Sequence, residues 1–143
     1  MVDEEIINKL LELRDKKSHE PKDALTLFEI YKQIILEDED IQEKLMDLNE
    51  IIVQNIYSDA DFKYWVKLGE GTFEVGEGEI DNPAFTMSAP SEIWSGLGSG
   101  EIDPTSAYMS GTLSIEGNLQ GAMTYGEVLE MIRAFIEDLE DSR

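Results

Sequence analysis

The stretch that decides the fold lies in the second half of the chain, where residues 97–119 read LGSGEIDPTSAYMSGTLSIEGNL. Asp103 stands before Pro104, and an acidic cap followed by proline at the first helical position predicts a short helix over residues 103–109. Residues 112–117 then alternate between polar and apolar side chains, which predicts a strand with Leu113 and Ile115 facing inward. Glycines on either side keep both elements short.

The segment that follows predicts a long last helix. Thr124 and Glu127 have the spacing of a capping box, a motif that begins helices. The apolar residues after it recur every three or four positions and so share one helix face: Val128, Ile132, Phe135, Ile136 and Leu139. We therefore predict a C-terminal helix over residues 124–141.

Four more strands are predicted before the quoted stretch. They contain β-branched and aromatic residues in alternating patterns, with glycine, asparagine or proline in the turns between them. Their predicted bounds are 51–57, 62–68, 72–76 and 84–88. In the last of these strands Phe85 and Met87 form the inward pair, and a short helix is predicted over residues 91–97.

The first third of the chain is predicted to be helical. Residues 1–48 contain three amphipathic segments, separated by a polar break before Pro21 and by an acidic turn at residues 37–40. The composition changes near Asn49, but no repeat, low-complexity tract or flexible linker separates the two parts. We predict one α+β domain over residues 1–143, in which helices cover a single sheet.

The chain is strongly acidic, with 32 Asp and Glu against 11 Lys and Arg and a formal net charge of −21. This charge repels phosphate backbones and anionic membrane surfaces, so nucleic acid is nearly excluded as a partner. Between residues 68 and 132 there is no Lys or Arg, which disfavours a strongly anionic ligand in this part of the chain. The acidic residues either cover a solvated surface or dock a basic protein partner, and both interpretations stay open.

Catalytic and metal-binding motifs are not found in the sequence. Cysteine is absent, and the one histidine, His19, lies in a polar break, where we expect an exposed loop residue rather than a catalytic base. The acidic turn at residues 37–40 lacks the spacing of a calcium-binding loop, and the glycine-rich segments match neither the dinucleotide nor the P-loop pattern. Paired carboxylates remain possible in so acidic a chain, although nothing singles out a pair. We expect neither an enzyme nor a cofactor.

Several large apolar residues lie on or beside short helices that are interrupted by glycine. They are Trp94, Leu97, Ile102, Tyr108, Met109, Met123 and Met131. These side chains either fill the core directly or leave room for an apolar ligand between the sheet and the helices.

Residues 97–119 closely resemble the signature of the sterol carrier protein 2 (SCP2-like) lipid-binding domain. The family has a small-residue "SG" step, an acidic-Pro helix that ends in "YMSG" and a strand that ends in "IEGD", where this chain has Asn118. Residues 82–88, NPAFTMS, are similar to the strand that precedes these elements in the family. The resemblance covers roughly residues 49–132, and the helices of residues 1–48 extend its N-terminal side.

This resemblance implies an α+β fold with one five-stranded, mainly antiparallel sheet covered by helices, to which this chain adds extra N-terminal helices. It also implies an apolar tunnel, between the sheet and the C-terminal helices, that binds sterols, fatty acids or acyl-CoA without a catalytic group. The residues expected to line this tunnel are Phe85, Met87, Ile93, Trp94, Leu97, Ile102, Tyr108, Met109, Leu113, Ile115, Leu119, Met123, Val128, Ile132 and Phe135.

The leading functional hypothesis is non-enzymatic binding and transfer of an apolar lipid. The alternative is an accessory module that docks to a larger, basic enzyme, and an enzyme is the least favoured of the three hypotheses. The N-terminal residues carry no basic or apolar region of a secretory signal, so we expect a cytoplasmic protein with no membrane-spanning segment. Because the expected tunnel region has no basic side chain, we expect a free or neutral lipid to bind more tightly than its CoA thioester.

Overall fold

The structure is a computed structural model that describes residues 4–16 and 20–141, so His19 lies outside the described residues. Six helices and five strands form within these ranges. In chain order they are α1 (Glu4–Asp15), α2 (Lys22–Ile35), α3 (Glu39–Asp47), β1 (Ile51–Tyr57), β2 (Lys63–Gly69), β3 (Thr72–Glu77), β4 (Phe85–Ala89), α4 (Ser91–Ser99), α5 (Pro104–Ser110), β5 (Ser114–Gly117) and α6 (Leu119–Asp141).

The five strands form one sheet in the order β3-β2-β1-β4-β5. The central strand β1 pairs antiparallel with β2 and parallel with β4, while β2–β3 and β4–β5 are antiparallel pairs. In this register Asn55 of β1 lies opposite Tyr64 on one side and Met87 on the other. The predicted α+β class and mainly antiparallel sheet are confirmed.

One face of the sheet carries the main core. Alternate residues of β1 and β2, such as Val53 and Val66, point to this face and are fully buried. Three helices cover it and contribute Phe28 and Tyr31 from α2, Ile41 and Leu45 from α3, and Val128 and Ile132 from α6. Helix α1 packs outside this layer, where Leu10 joins a buried cluster with Ile30 and Ile34 of α2.

The last helix begins earlier than the sequence predicts, at Leu119 rather than at Thr124. The Asn118 side chain accepts a hydrogen bond from the amide of Gly121 at 3.1 Å, which is the bond that a cap residue makes. The Thr124 hydroxyl instead donates to the Gln120 carbonyl inside the helix. The capping-box interpretation of residues 124–127 was therefore wrong, because a stronger cap lies six residues upstream.

The last strand is shorter than predicted and begins at Ser114. The amides of Thr112 and Leu113 both donate to the carbonyl of Ala107 at the end of α5, so these residues do not join the sheet. Leu113 is nevertheless buried, in a smaller cluster with Ala89 and Leu97. Within the described ranges, none of the helices has the length and apolar character that crossing a membrane requires.

Candidate functional site

A cavity of about 390 Å³ lies between the core face of the sheet and the helices. Its floor includes Tyr57, Tyr64, Met87 and Ile115, one from each of four strands. Its walls are formed mainly by α1, α2, α4 and α6, and most of the side chains that line it are apolar. Ligand-binding cavities usually measure roughly 300–1,000 Å³, so this one suits a small or slender ligand.

Helix α6 forms the longest wall. Its lining residues follow helical spacing along one face: Ala122, Tyr125, Gly126, Leu129, Arg133, Ile136, Glu137 and Glu140. Ala122 and Glu140 are roughly 27 Å apart along the helix axis at the rise of an α-helix. The cavity therefore extends along one helix, as a site for an elongated ligand would.

Helix α4 forms the opposite wall, and Trp94 attaches this helix to strand β1. Its indole nitrogen donates to the Ile56 carbonyl at 3.1 Å, and its ring stacks on Tyr57 with centroids 5.6 Å apart. In the same helix the buried Gly96 lies directly against the Ile102 side chain, which a Cβ atom at this position would meet. These contacts fix the position of Leu97, which lines the cavity one turn later.

The fifteen residues predicted to line a tunnel fall into four groups. Five line the cavity: Met87, Trp94, Leu97, Leu113 and Ile115. Four pack in the main core instead, namely the buried Phe85, Val128 and Ile132 and the partly buried Phe135. Ile93 and Ile102 pack against the smaller cluster around Leu97, and Tyr108, Met109, Leu119 and Met123 are exposed.

The helical period explains the exposed group. Ala122 lines the cavity, so Met123, one residue further along the same helix, turns toward solvent and is 64% exposed. Met109 lies near the end of the short helix α5 and is 81% exposed. The structure does not bring these side chains together with the five that line the cavity.

Sequence reasoning missed the contribution of the N-terminal helices. Leu10, Leu13, Leu27, Phe28 and Tyr31 line the cavity, although the resemblance began only near residue 49. Their apolar stripes were visible in the sequence, but a stripe does not say what it covers. Tyr57 and Tyr64 were also missed; the signal that could have found them is strand alternation, since Tyr57 shares a face with Val53 and Tyr64 with Val66.

Arg133 contradicts the expectation that no basic side chain lies near the cavity. It follows directly after the segment without Lys or Arg, and it lines the cavity. Its guanidinium donates to the Leu97 carbonyl at 2.7 Å, and Tyr31 lines the same cavity. Burial raises the pKa of Tyr31, and the positive charge of the nearby Arg133 opposes that rise.

A group of buried polar side chains lies on the sheet side of the same cavity. Asn55 is 0% exposed, and its amide nitrogen and oxygen have no hydrogen-bond partner among residues 4–16 and 20–141. Burial raises the pKa of Tyr64 and of Tyr125, and the nearby Asn55 amide opposes the rise in both. Phenols therefore line an otherwise apolar site, and a buried amide lies close to two of them.

Carboxylates line other parts of the cavity, namely Glu20, Asp23, Glu137 and Glu140. Asp23 pairs with Lys16 at 2.9 Å. In the part of the chain that the structure describes, no three acidic or histidine side chains are grouped so as to hold a metal ion.

Comparison with known proteins decides the family. The sequence model of the SCP-2 sterol transfer family matches residues 31–130, which is more than two thirds of the chain. The chain belongs to the SCP-2 sterol transfer family. Proteins of this family bind and transfer lipids. The matched segment begins at Tyr31 and ends before Arg133. Arg133 therefore lies outside it, and so do most of the N-terminal residues that line the cavity of this SCP-2 domain.

Solved structures with the same fold include several sterol carrier proteins. "UbiJ-SCP2 Ubiquinone synthesis protein" has a TM-score of 0.62 at 11% identity, covering 82% of this chain and 97% of that one. Sterol carrier protein domain 2 of Helicoverpa armigera has a TM-score of 0.56 at 20% identity, covering 85% and 96%. Sterol carrier protein 2 of Yarrowia lipolytica has a TM-score of 0.56 at 15% identity, covering 73% and 85%. No sequence among the curated proteins matches the chain significantly.

Proposed function

We propose that this SCP-2 domain is a non-enzymatic carrier that binds one slender apolar lipid, such as a fatty acid or a sterol, in the cavity beside α6. The observation that carries the proposal is the elongated cavity of about 390 Å³, lined mainly by apolar side chains from both the sheet and the helices. Removing a long apolar chain from water is favourable, while ordering of the chain opposes binding. We expect affinity of micromolar order, about 8 kcal/mol.

The side chains around the cavity favour carriage over catalysis. Most are apolar, and the Ser99 hydroxyl already donates to the Gly96 carbonyl at 3.2 Å within its own helix. In this arrangement the hydroxyl proton points to a backbone carbonyl, which does not act as a base. The proposal of a basic protein partner rests on the net charge of −21 alone, and the cytoplasmic location stays a prediction.

The experiment is a titration of the purified protein with a fluorescent fatty acid, compared with variants Ile115→Asp and Met109→Asp. Ile115 lines the cavity, so a carboxylate there places an unpaired charge in the apolar site, and we expect uptake to be abolished. Met109 is 81% exposed, so the same charge there is solvated and uptake is unchanged.

Circular dichroism of both variants separates loss of binding from loss of folding. If Ile115→Asp unfolds, native mass spectrometry of the wild-type protein gives an independent readout, since a carrier is expected to retain lipid from the expression host. Wild-type protein that shows neither saturable uptake over a range of chain lengths nor co-purified lipid would refute the proposal.

A further inference from the structure

The cavity contains a cation that forms no ion pair with a carboxylate of residues 4–16 or 20–141. Arg133 is partly buried, and its Nε is fully buried with no hydrogen-bond partner among the described residues. It forms no ion pair with any carboxylate in those residues, although the chain has 32 acidic side chains. Buried charges in proteins are normally paired, because desolvation of a lone ion costs several kcal/mol.

The hydrogen-bonding capacity of Arg133 is only partly used. A guanidinium offers five N–H donors, and the structure pairs one of them with the Leu97 carbonyl. This carbonyl is neutral, so it positions the side chain without cancelling its charge. The fork shape of the remaining donors suits the two oxygens of a carboxylate.

Further polar side chains lie between Arg133 and the sheet. Tyr125 lies two helical turns before Arg133 on the same face of α6. The nearby Asn55 amide and the charge of Arg133 both lower its pKa against the effect of burial. Asn55 lies between Tyr64 and Met87, two residues that line the cavity, and its amide has no hydrogen-bond partner in the part of the chain that the structure describes. An unpaired buried amide is costly in an apolar core, so its presence here indicates a polar role.

The acidic residues of the cavity restrict where an anionic group can bind. Glu137 and Glu140 follow Arg133 along the same wall, and Glu20 and Asp23 line the cavity from the α2 side. An anionic group placed near Glu20 or Glu137 is repelled, whereas the same group at Arg133 is neutralised.

We propose that Arg133, Tyr31 and Tyr125 form a head-group site inside the cavity that selects lipids ending in a single carboxylate. The inference rests on the proposed function, because it requires that a lipid enters this cavity. The carboxylate accepts hydrogen bonds from Arg133 and from the phenol hydroxyls, and the alkyl chain lies along the apolar wall of α6. A neutral ester or alcohol of the same length leaves the charge of Arg133 unpaired and therefore binds less tightly.

The test compares hexadecanoic acid with methyl hexadecanoate in competition against one fluorescent lipid at neutral pH. We expect the wild-type protein to prefer the acid by about tenfold, the contribution of one charge-assisted, two-pronged contact. In Arg133→Met the side chain keeps a similar length but loses its charge, so the preference falls to about one while the ester binds within roughly threefold of wild type. Arg133→Lys keeps the charge but loses the two parallel N–H donors of the guanidinium, so its preference for the acid lies between those of the wild type and Arg133→Met.

Lys63→Met is the matched control, since it also removes one positive charge. Lys63 pairs with Glu79 and lies on the opposite face of β2 from Tyr64, so its loss leaves the preference unchanged. A wild-type preference near one, or a preference that survives in Arg133→Met, overturns the head-group site while lipid binding stands. Failure of both ligands to bind the wild-type protein refutes the proposed function and this inference with it. Because the readout is a ratio of two ligands, partial destabilisation of a variant does not imitate the expected result.

Discussion

Two adjacent amides in the central strand show how the direction of a single side chain decides its role. Gln54 is buried and fully used: its amide nitrogen donates to the carbonyls of Tyr64 and Gly78, and its oxygen accepts from the Ile80 amide. Asn55, the next residue, points to the cavity face and has no such partners among the described residues. Gln54 therefore fastens the connection after β3, whereas Asn55 is buried in the core beside the cavity residues Tyr64 and Met87.

Buried tyrosines predict how stability responds to high pH. Burial, together with the charges of Asp23 and Asp59, raises the pKa of Tyr57 to about 12, and burial raises the pKa of Tyr31, Tyr64 and Tyr125. Below pH 10 both the folded and the unfolded chain hold these phenol protons, so stability does not depend on them. Above pH 10 the unfolded chain loses the protons first, so the free energy of unfolding falls as pH rises.

We expect the phenolate absorbance of these tyrosines to rise together with the loss of circular dichroism, in one steep transition near pH 12. Variant Tyr57→Phe removes one of the coupled protons and makes the pH dependence shallower. Ionisation of all the tyrosines near pH 10 in a protein that keeps its helical signal would show that the phenols are not protected by folding.

At the scale of the element, α4 begins with a cap supplied from elsewhere in the chain. Its own N-terminal neighbour, Pro90, has no side chain that can cap. Asp59, in the turn between β1 and β2, accepts hydrogen bonds at 2.9 Å from both the amide and the hydroxyl of Ser91. These bonds lower the pKa of Asp59 and tie the wall that carries Trp94 to the sheet.

Helix α6 offers a substitution that separates stability from binding. Gly126 lies in the middle of the helix and lines the cavity, and a Cβ atom there would meet nothing within 4 Å. Gly126→Ala should raise the free energy of unfolding by roughly 0.5–1 kcal/mol, since glycine is unfavourable inside a helix. Gly126→Leu should also fold, but its larger side chain occupies cavity space and lowers lipid affinity severalfold.

Chemical denaturation measures the first effect, and titration with the fluorescent fatty acid measures the second. Gly126→Ala is the control for Gly126→Leu, because the two share the backbone effect and differ in side-chain volume. Equal affinity of the two variants would mean that the lipid does not pass this part of the α6 wall.

At the scale of the whole molecule, charge sets which ligands approach the cavity. The net charge is −21, and four acidic side chains line the cavity against the single Arg133 among the described residues. One carboxylate can be neutralised at Arg133. A CoA head group carries several negative charges and is too large for a cavity of about 390 Å³, so it must remain near the acidic surface.

We therefore expect a free fatty acid to bind more tightly than the CoA thioester of the same chain. Repulsion between exposed charges is screened over roughly 8 Å at physiological ionic strength, so the difference should narrow as salt is raised. Titrations of both ligands at low and high salt measure this. Tighter binding of the thioester at low salt would show that backbone donors or exposed lysines hold its head group despite the net charge.

The candidate site could be predicted only in part, and strand β4 shows why. Phe85 and Met87 were both predicted to face inward, and both do. Phe85 is buried against Tyr125, with ring centroids 5.8 Å apart, whereas Met87 lines the cavity. Alternation along a strand assigns a side chain to a face but carries no information about the distance to the opposing helix.

The sequence by itself determined the five strands, the helices and the family, because these depend on local signals: alternation along strands, apolar stripes along helices, and glycine, proline and acidic caps at their ends. Tertiary structure alone decided that α1 and α2 wall the cavity, that Asp59 caps α4, and that Arg133 reaches Tyr31 and Leu97. The physical reason is that a cavity is a gap between faces that meet from distant parts of the chain. Its position depends on how far those faces are held apart, and no single segment encodes that distance.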